Sequence, residues 1–246
     1  MNVVATAGWS IPRACAAKFG GEGTHLRRYA RVLRGVEIDT SFYRHHSADT
    51  YARWAKQMPR GFRFAVKLPC EITHDGRLRA ARGPLQEFLA SVTGLGARLG
   101  PLVVQLPPSM LFEPRVAHSF FALVRECHPG AVVCEPRHAS WFDARVDALL
   151  DRHRIGRVAA DPAVVPAAAH PGGWLGIHYF RLHGSPQKYW SVYDPGRLAS
   201  WAMALKAAPR GVSAWCVFDN TAAGGAAGNA LQTVGLLAAL NPRKVT

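Results

Sequence analysis

The sequence predicts an α/β protein of the (β/α)8 type, a TIM barrel, forming one domain over residues 1–246. Three observations predict it. Apolar β-rich runs alternate with amphipathic runs of helical period, the pattern of βα units around a parallel sheet. Eight such units fit a chain of 246 residues, the usual size of a closed barrel. Polar side chains also stand at the carboxyl end of nearly every strand. A doubly wound open sheet would gather its ligand residues mainly at one switch point.

The first strand is VVATAG (3–8), followed by a Gly-rich loop and a helix from Thr24. Leu26, Tyr29, Ala30 and Leu33 of that helix recur at i, i+3, i+4 and i+7 and mark one buried face. VEIDT (36–40) is strand two. Ser47 is the N-cap expected for the next helix, which buries Tyr51, Trp54, Ala55 and Met58. FRFAVK (62–67) and PLVVQL (101–106) are strands three and four, separated by a helix near 84–98. A helix over 115–126 leads to strand five, AVVCE. Asp143 caps a helix with Val146, Leu149, Leu150 and His153 on one face, and GRVAAD (156–161) is strand six. The Pro- and Ala-rich stretch 162–174 reads as loop, so helix six is expected to be missing or replaced. Strand seven, IHYFRLHG (177–184), precedes a helix carrying Leu198, Trp201, Ala202 and Leu205. SAWCVFDN (213–220) and a helix to residue 240 complete the eight units.

A hydrophobic fraction of 49% supplies ample core, and no apolar stretch reaches the length that spans a bilayer. The opening MNVVATAGWS lacks a basic segment before an apolar one, so no signal peptide is expected. Cys15, Cys70, Cys127, Cys134 and Cys216 form no CxxC or zinc spacing and suit buried thiols in a reducing cytoplasm. The net charge of +14 admits nucleic acid or an acidic partner. Its basic residues are scattered, as in Arg27, Arg28, Arg31 and Arg34 along one helix, and an ordinary solvated surface is the preferred reading.

The stretch VVCEPRHASWFD (132–143) drives an apolar strand straight into Glu135, Arg137 and His138. Burying such groups unpaired is costly. Pro136 cannot donate to a ladder, so the strand stops there, at the catalytic face of a barrel. The Glu135 carboxylate is expected within hydrogen-bond reach of Lys67, Arg181 or His183, with Trp141 anchoring the loop that follows. Five acidic residues (Glu37, Asp39, Glu135, Asp161, Asp219) lie at strand ends and would repel one another unless Lys67, Arg137, Arg181 and His183 answer them.

Two readings follow. One is a salt-bridged plug that closes the barrel. The preferred one is a pocket in which Glu37, Glu135 and Asp219 are acids and bases and His74 or His183 is a proton shuttle. Lys67, Arg137, Arg181, Gln105 and Asn220 would then hold an anionic substrate. The Gly-rich run from Asn220 to Gly228 enters a helix whose backbone N–H groups could cradle a phosphate. Trp9, Trp141, Tyr179, Tyr189 and Trp190 offer flat faces for a sugar or a nucleobase. His74, His138 and His183 could join the carboxylates around a metal, but no HxH, HExxH or DxH spacing appears and cations flank the histidines. No metal or other cofactor is expected.

EIDTSFY (37–43), FAVKLPCEITH (64–74), QLPPS (105–109), EPRHASW (135–141), YFRLHG (179–184) and VFDNTAAGGAAGNA (217–230) together resemble the YecE-like family, domain of unknown function 72. The match runs in order from Gly8–Trp9 to Asn229; Ile11 departs from it, standing where an aromatic usually follows Gly-Trp-x. The resemblance implies a TIM barrel similar to the endonuclease IV and xylose isomerase group and implies no particular reaction. The expected function is an enzyme acting on a small phosphorylated or otherwise anionic molecule by metal-independent acid/base chemistry. The alternatives are a nucleic-acid-binding or processing barrel resembling endonuclease IV and a non-catalytic ligand-binding barrel. A contiguous band of arginine around the mouth would favour nucleic acid. No membrane partner is expected, and the oligomeric state is left open.

Overall fold

A computed structural model describes residues 2–240; residue 1 and residues 241–246, the ends of the predicted domain, lie outside the described residues. Alternating strand residues serve two interiors. In β1 (Asn2–Thr6), Val4 joins the apolar layer beneath the helices, while Val3 and Ala5 join a second cluster with Ala65, Val103, Val133, Tyr179, Trp215 and Val217. Burial on both faces is why these strands read as continuous apolar runs, as parallel strands do. The others are β2 (Gly35–Ile38), β3 (Arg63–Lys67), β4 (Leu99–Gln105), β5 (Val132–Glu135), β6 (Ile155–Arg157), β7 (Ala159–Asp161), β8 (Gly172–Gly173), β9 (Ile177–Leu182) and β10 (Ser213–Phe218). A Cβ at Gly35 would fall 2.4 Å from Val3 and 3.0 Å from the Trp215 ring, so the bare backbone there makes room for the indole.

Seven helices alternate with these strands: α1 (His25–Ala30), α2 (Ala48–Lys56), α3 (Arg82–Val92), α4 (Pro114–Cys127), α5 (Ala144–Arg152), α6 (Pro195–Lys206) and α7 (Gly225–Leu240). The expected caps form. Thr24 accepts from the Arg27 N–H at 3.3 Å, Ser47 from Thr50 at 3.2 Å, and Asp143 from Arg145 at 2.8 Å and Val146 at 3.0 Å. Each satisfies donors that the first helical turn leaves free. The Tyr29 hydroxyl of α1 accepts from Thr6 N–H and donates to the Gly35 carbonyl, both at 3.0 Å, tying helix one to two strands. As expected, no sixth βα helix forms. Its place holds a short turn (Pro166–Ala169) and β8, which pairs antiparallel with β6.

The strands form a four-stranded parallel sheet in the order β1-β10-β9-β7 and a six-stranded sheet in the order β2-β3-β4-β5-β6-β8. The two meet twice. Ala7 and Glu37 make an isolated parallel bridge beside β1 and β2, and the predicted sixth strand divides at Val158, giving β6 to one sheet and β7 to the other. Val158 N–H reaches the Cys134 carbonyl at 2.8 Å, after which the chain leaves β5 and pairs with β9.

Candidate functional site

Parallel pairing places Lys67, Gln105 and Glu135 at the last positions of β3, β4 and β5, and Glu37 and Arg181 one before the ends of β2 and β9. Their side chains meet around Arg181, which is fully buried. Its Nη2 donates to Glu37 Oε1 at 2.6 Å, its Nε to Glu37 Oε2 at 3.1 Å and its Nη1 to Glu135 Oε2 at 2.7 Å; Asp219 Oδ2 lies 3.3 Å from Nη2. Three carboxylates thus share one guanidinium, with Asp39 Oδ1 a fourth at 3.7 Å from Nη2; arginine is the residue type whose planar fork suits such pairing.

Their protonation differs with what else they touch. Burial pushes the Glu135 carboxyl up, but Arg181, His183 and Arg137 outweigh it and hold the group well below the usual carboxylate range. Asp219 is lowered in the same way, its burial outweighed by Arg181 and His183. In Glu37 burial wins over Arg181, with Asp39 and Asp219 adding repulsion, and the carboxyl is raised. Burial lowers the Arg181 value, and its three carboxylate partners lift it well above the ordinary one.

His183 stands between two of these acids, with Nδ1 2.8 Å from Asp219 Oδ2 and Nε2 2.8 Å from Glu135 Oε1; Nε2 is also 3.3 Å from Arg137 Nη2. An imidazolium donates to both carboxylates. A neutral ring keeps its Nδ1–H on Asp219 and accepts from Arg137 at Nε2. Two bonding schemes one proton apart are what a shuttle between Glu135 and a reacting group requires. Above it opens a cavity of ≈ 100 Å³ lined by Glu135, Arg137, His183 and Lys188. Burial, and then the charge of Arg137, push the Lys188 amine down to about 8. Tyr189 beside it accepts from both Arg137 Nη atoms, at 3.4 and 3.3 Å, and its N–H donates to the His183 carbonyl.

Of the predicted residues, the structure therefore gathers Glu37, Glu135, Asp219, His183, Arg137 and Arg181. Gln105 joins them by donating to Glu135 Oε2 at 2.9 Å, a positioning contact rather than a substrate contact. Lys67 borders the group, held 3.0 Å from Asp39 and 4.0 Å over the Phe42 ring, and makes no bond to Glu135. His74 shares that border: its ring stands edge-on to Phe42 and its Nδ1 is 2.9 Å from the Thr73 hydroxyl. Burial, then Lys67 and Arg137, lower its pKa.

Other expectations are corrected. Glu37, expected among the acids and bases of the pocket, has no exposure, and both its oxygens are taken by Arg181 and Tyr179. Tyr179 is floor rather than wall, its hydroxyl on Glu37 at 2.8 Å and its ring stacked on Trp215. Trp141 is fully buried with its indole N–H on the Met110 carbonyl at 2.9 Å, so it anchors the loop and lines no pocket. Trp9 packs edge-on to Trp54. Asn220 spends both amide hydrogens on the Ser191 carbonyl and Asn229 Oδ1, leaving none for an anion. Asp161 turns away toward Tyr193 and Arg197, each 2.6 Å off. The Gly-rich turn before α7 closes against Pro12 and leaves ≈ 30 Å³, room for about one water rather than a phosphate. Among the described residues no three His, Cys, Asp or Glu converge as a metal-ligand set. No described helix is long and apolar enough to cross a membrane.

Lys188 escaped the sequence reading because its loop reaches Glu135 only through the fold. One signal was available: most of the basic charge is arginine, and lysine is the cation whose pKa moves on burial. Competitive acylation read by mass spectrometry should find Lys188 half-reactive near pH 8, far below an ordinary lysine. Because this value is depressed on folding, the folded state binds fewer protons in the window from about 8 to about 10.4, so the contribution of Lys188 to stability rises with pH there. A labelling midpoint at the ordinary lysine value would remove it from the site.

A model of the family described as Protein of unknown function DUF72 matches residues 3–245. The UPF0759 protein YecE of Escherichia coli strain K12 is 31% identical over 154 residues, 59% of this chain and 55% of that protein. Its counterpart in Escherichia coli O157:H7 is 30% identical over the same share. The chain spans about half the length of the curated relatives it matches. A crystal structure of a DUF72 family protein from Thermotoga maritima aligns with a TM-score of 0.79 over 96% of this chain and 99% of that one, at 24% identity. One from Enterococcus faecalis gives 0.78 over 96% and 95%, at 20% identity. At these identities the likeness speaks to fold alone.

Proposed function

The chain belongs to the DUF72 family, and from that premise we propose an enzyme that acts on a small phosphorylated or otherwise anionic substrate by acid/base chemistry at the strand ends. In this reading the two sheets close as a (β/α)8 barrel, supported by their meeting at Ala7–Glu37 and along 155–161. The five free thiols support a reducing, cytoplasmic setting. One observation carries the proposal: His183 is held between two carboxylates at the wall of a cavity that also presents Lys188 and Arg137.

Asp219 fixes the Nδ1 proton of His183. Nε2 gives or takes the proton that the reaction moves, and Glu135, kept ionised by Arg181 and Arg137 and therefore a weak base, orients it. Lys188 and Arg137 receive the anionic group; a cavity of ≈ 100 Å³ admits that group and little more, so the rest of the substrate lies toward Tyr189, which accepts from Arg137. Glu37, Tyr179 and Gln105 hold Arg181 and Glu135 in place.

A thermal-shift screen of phosphorylated and carboxylated metabolites tests this. A ligand at a hundred times its Kd should stabilise the protein by about 2.7 kcal/mol, and the shift should vanish in Arg137→Gln and Lys188→Gln. No stabilising anion, or a shift that both variants keep, would defeat the proposal.

A further inference from the structure

A larger cavity lies elsewhere. It measures ≈ 910 Å³ and sits between α1, the α2–β3 connection and α7, at the amino ends of β2 and β3. Arg27, Arg31, Arg34 and Arg60 line it, all exposed, and no acidic residue does. The sequence around it is equally one-sided: segments 24–34 and 50–62 carry Arg27, Arg28, Arg31, Arg34, Arg53, Lys56 and Arg60 and no Asp or Glu. Some exposed arginines elsewhere find acids, as Arg79 does with Glu113, Arg82 with Glu126 and Arg145 with Asp143, while others such as Arg115, Arg152 and Arg210 stand singly, and what sets the groove apart is that its four line one cavity. Among the described residues none of the four groove arginines forms an ion pair. Arg31 is also pre-positioned, its Nη1 on the Gly20 carbonyl at 3.3 Å, over Gly21, where a Cβ would come within 1.8 Å of it.

We infer that this groove binds the backbone phosphates of double-stranded nucleic acid, at a surface separate from the strand-end site. Four uncompensated guanidiniums lining one groove match phosphate in charge and geometry. The only aromatic ring in the lining, Phe62, is buried. The groove therefore lacks both the stacking platform that grips single strands and the aromatic anchor that a protein partner's hot spot needs. These arginines lie at the amino ends of β2 and β3, not around the strand-end mouth where a band of arginine is the expected sign of nucleic acid.

Fluorescence anisotropy with a labelled duplex of about 20 base pairs tests the inference. Four phosphate contacts give a slope of about −3.6 in log K against log salt, roughly a hundredfold loss between about 50 and 200 mM. Replacing Arg27, Arg31, Arg34 and Arg60 together by Gln should abolish most of that slope and weaken binding at low salt at least ~10-fold. A control replaces Arg115, Arg145, Arg152 and Arg210, equally exposed and dispersed, by Gln. It should keep the slope. Equal losses in the two variants would reduce the effect to net charge and overturn the inference, as would preference for a single strand or for polyglutamate over duplex. Because the strand-end site is untouched by these substitutions, its anion-induced thermal shift should persist in both variants.

Discussion

Arg181→Met is expected to lower the free energy of unfolding by about 4 kcal/mol or more, the scale for removing one partner from a buried ion pair. Methionine nearly fills the volume but leaves Glu37, Glu135 and Asp219 facing one another without the charge at their centre. The burial that now raises Glu37 would act unopposed on it, and would fall on Glu135 with only Arg137 and His183 to answer. Urea unfolding followed by tryptophan fluorescence measures the loss. Adding Glu37→Gln and Glu135→Gln to Arg181→Met should return part of it, since coupled neighbours are not additive. A loss below about 1 kcal/mol, typical of an exposed pair, would mean that Arg181 does not hold the cluster.

The second large effect concerns chemistry. With a ligand from the screen that proves to be turned over, His183→Asn should lower kcat by about 10²–10⁴, the contribution of a positioned general acid or base. Stability should fall far less, by about 1–2 kcal/mol. Glu135 keeps Arg181, Arg137 and Gln105 without the imidazole, and Asp219 keeps Arg181. Glu135→Gln should differ. It touches the same chemistry but strips charge from a carboxylate that Arg181 and Arg137 both use, so it should cost about 3 kcal/mol of stability as well. Unchanged kcat in His183→Asn would leave the cluster as a plug.

Much of this site is legible in the chain. Polar residues ending apolar runs located Glu135, Arg181, His183 and Asp219 because parallel strands bring their carboxyl ends to one face. The contact predicted for Glu135 forms with Arg181 and His183; Lys67 instead settles on Asp39, nearer along its own edge. What periodicity does not carry is depth. Glu37 and Glu135 read alike in sequence, yet one ends with no exposure beneath Arg181 and the other lines the cavity. Trp141 anchors its loop as expected but offers no flat face to a ligand, and Asn220, expected to hold an anion, is spent on its own loop for the same reason. The Gly-rich turn misled differently: its glycines permit a close turn against Pro12, and a close turn leaves no space for a ligand.

The split of the strands into two sheets gives the charge cluster a mechanical meaning. Backbone ladders between the sheets are sparse, limited to one bridge at Ala7–Glu37 and the shared run 155–161. Arg181 lies in a strand of one sheet, and His183 and Asp219 follow strands of that sheet; Glu37 and Glu135 belong to the other. The guanidinium and the imidazole therefore fasten one sheet to the other by side-chain ion pairs where the backbone offers few hydrogen bonds.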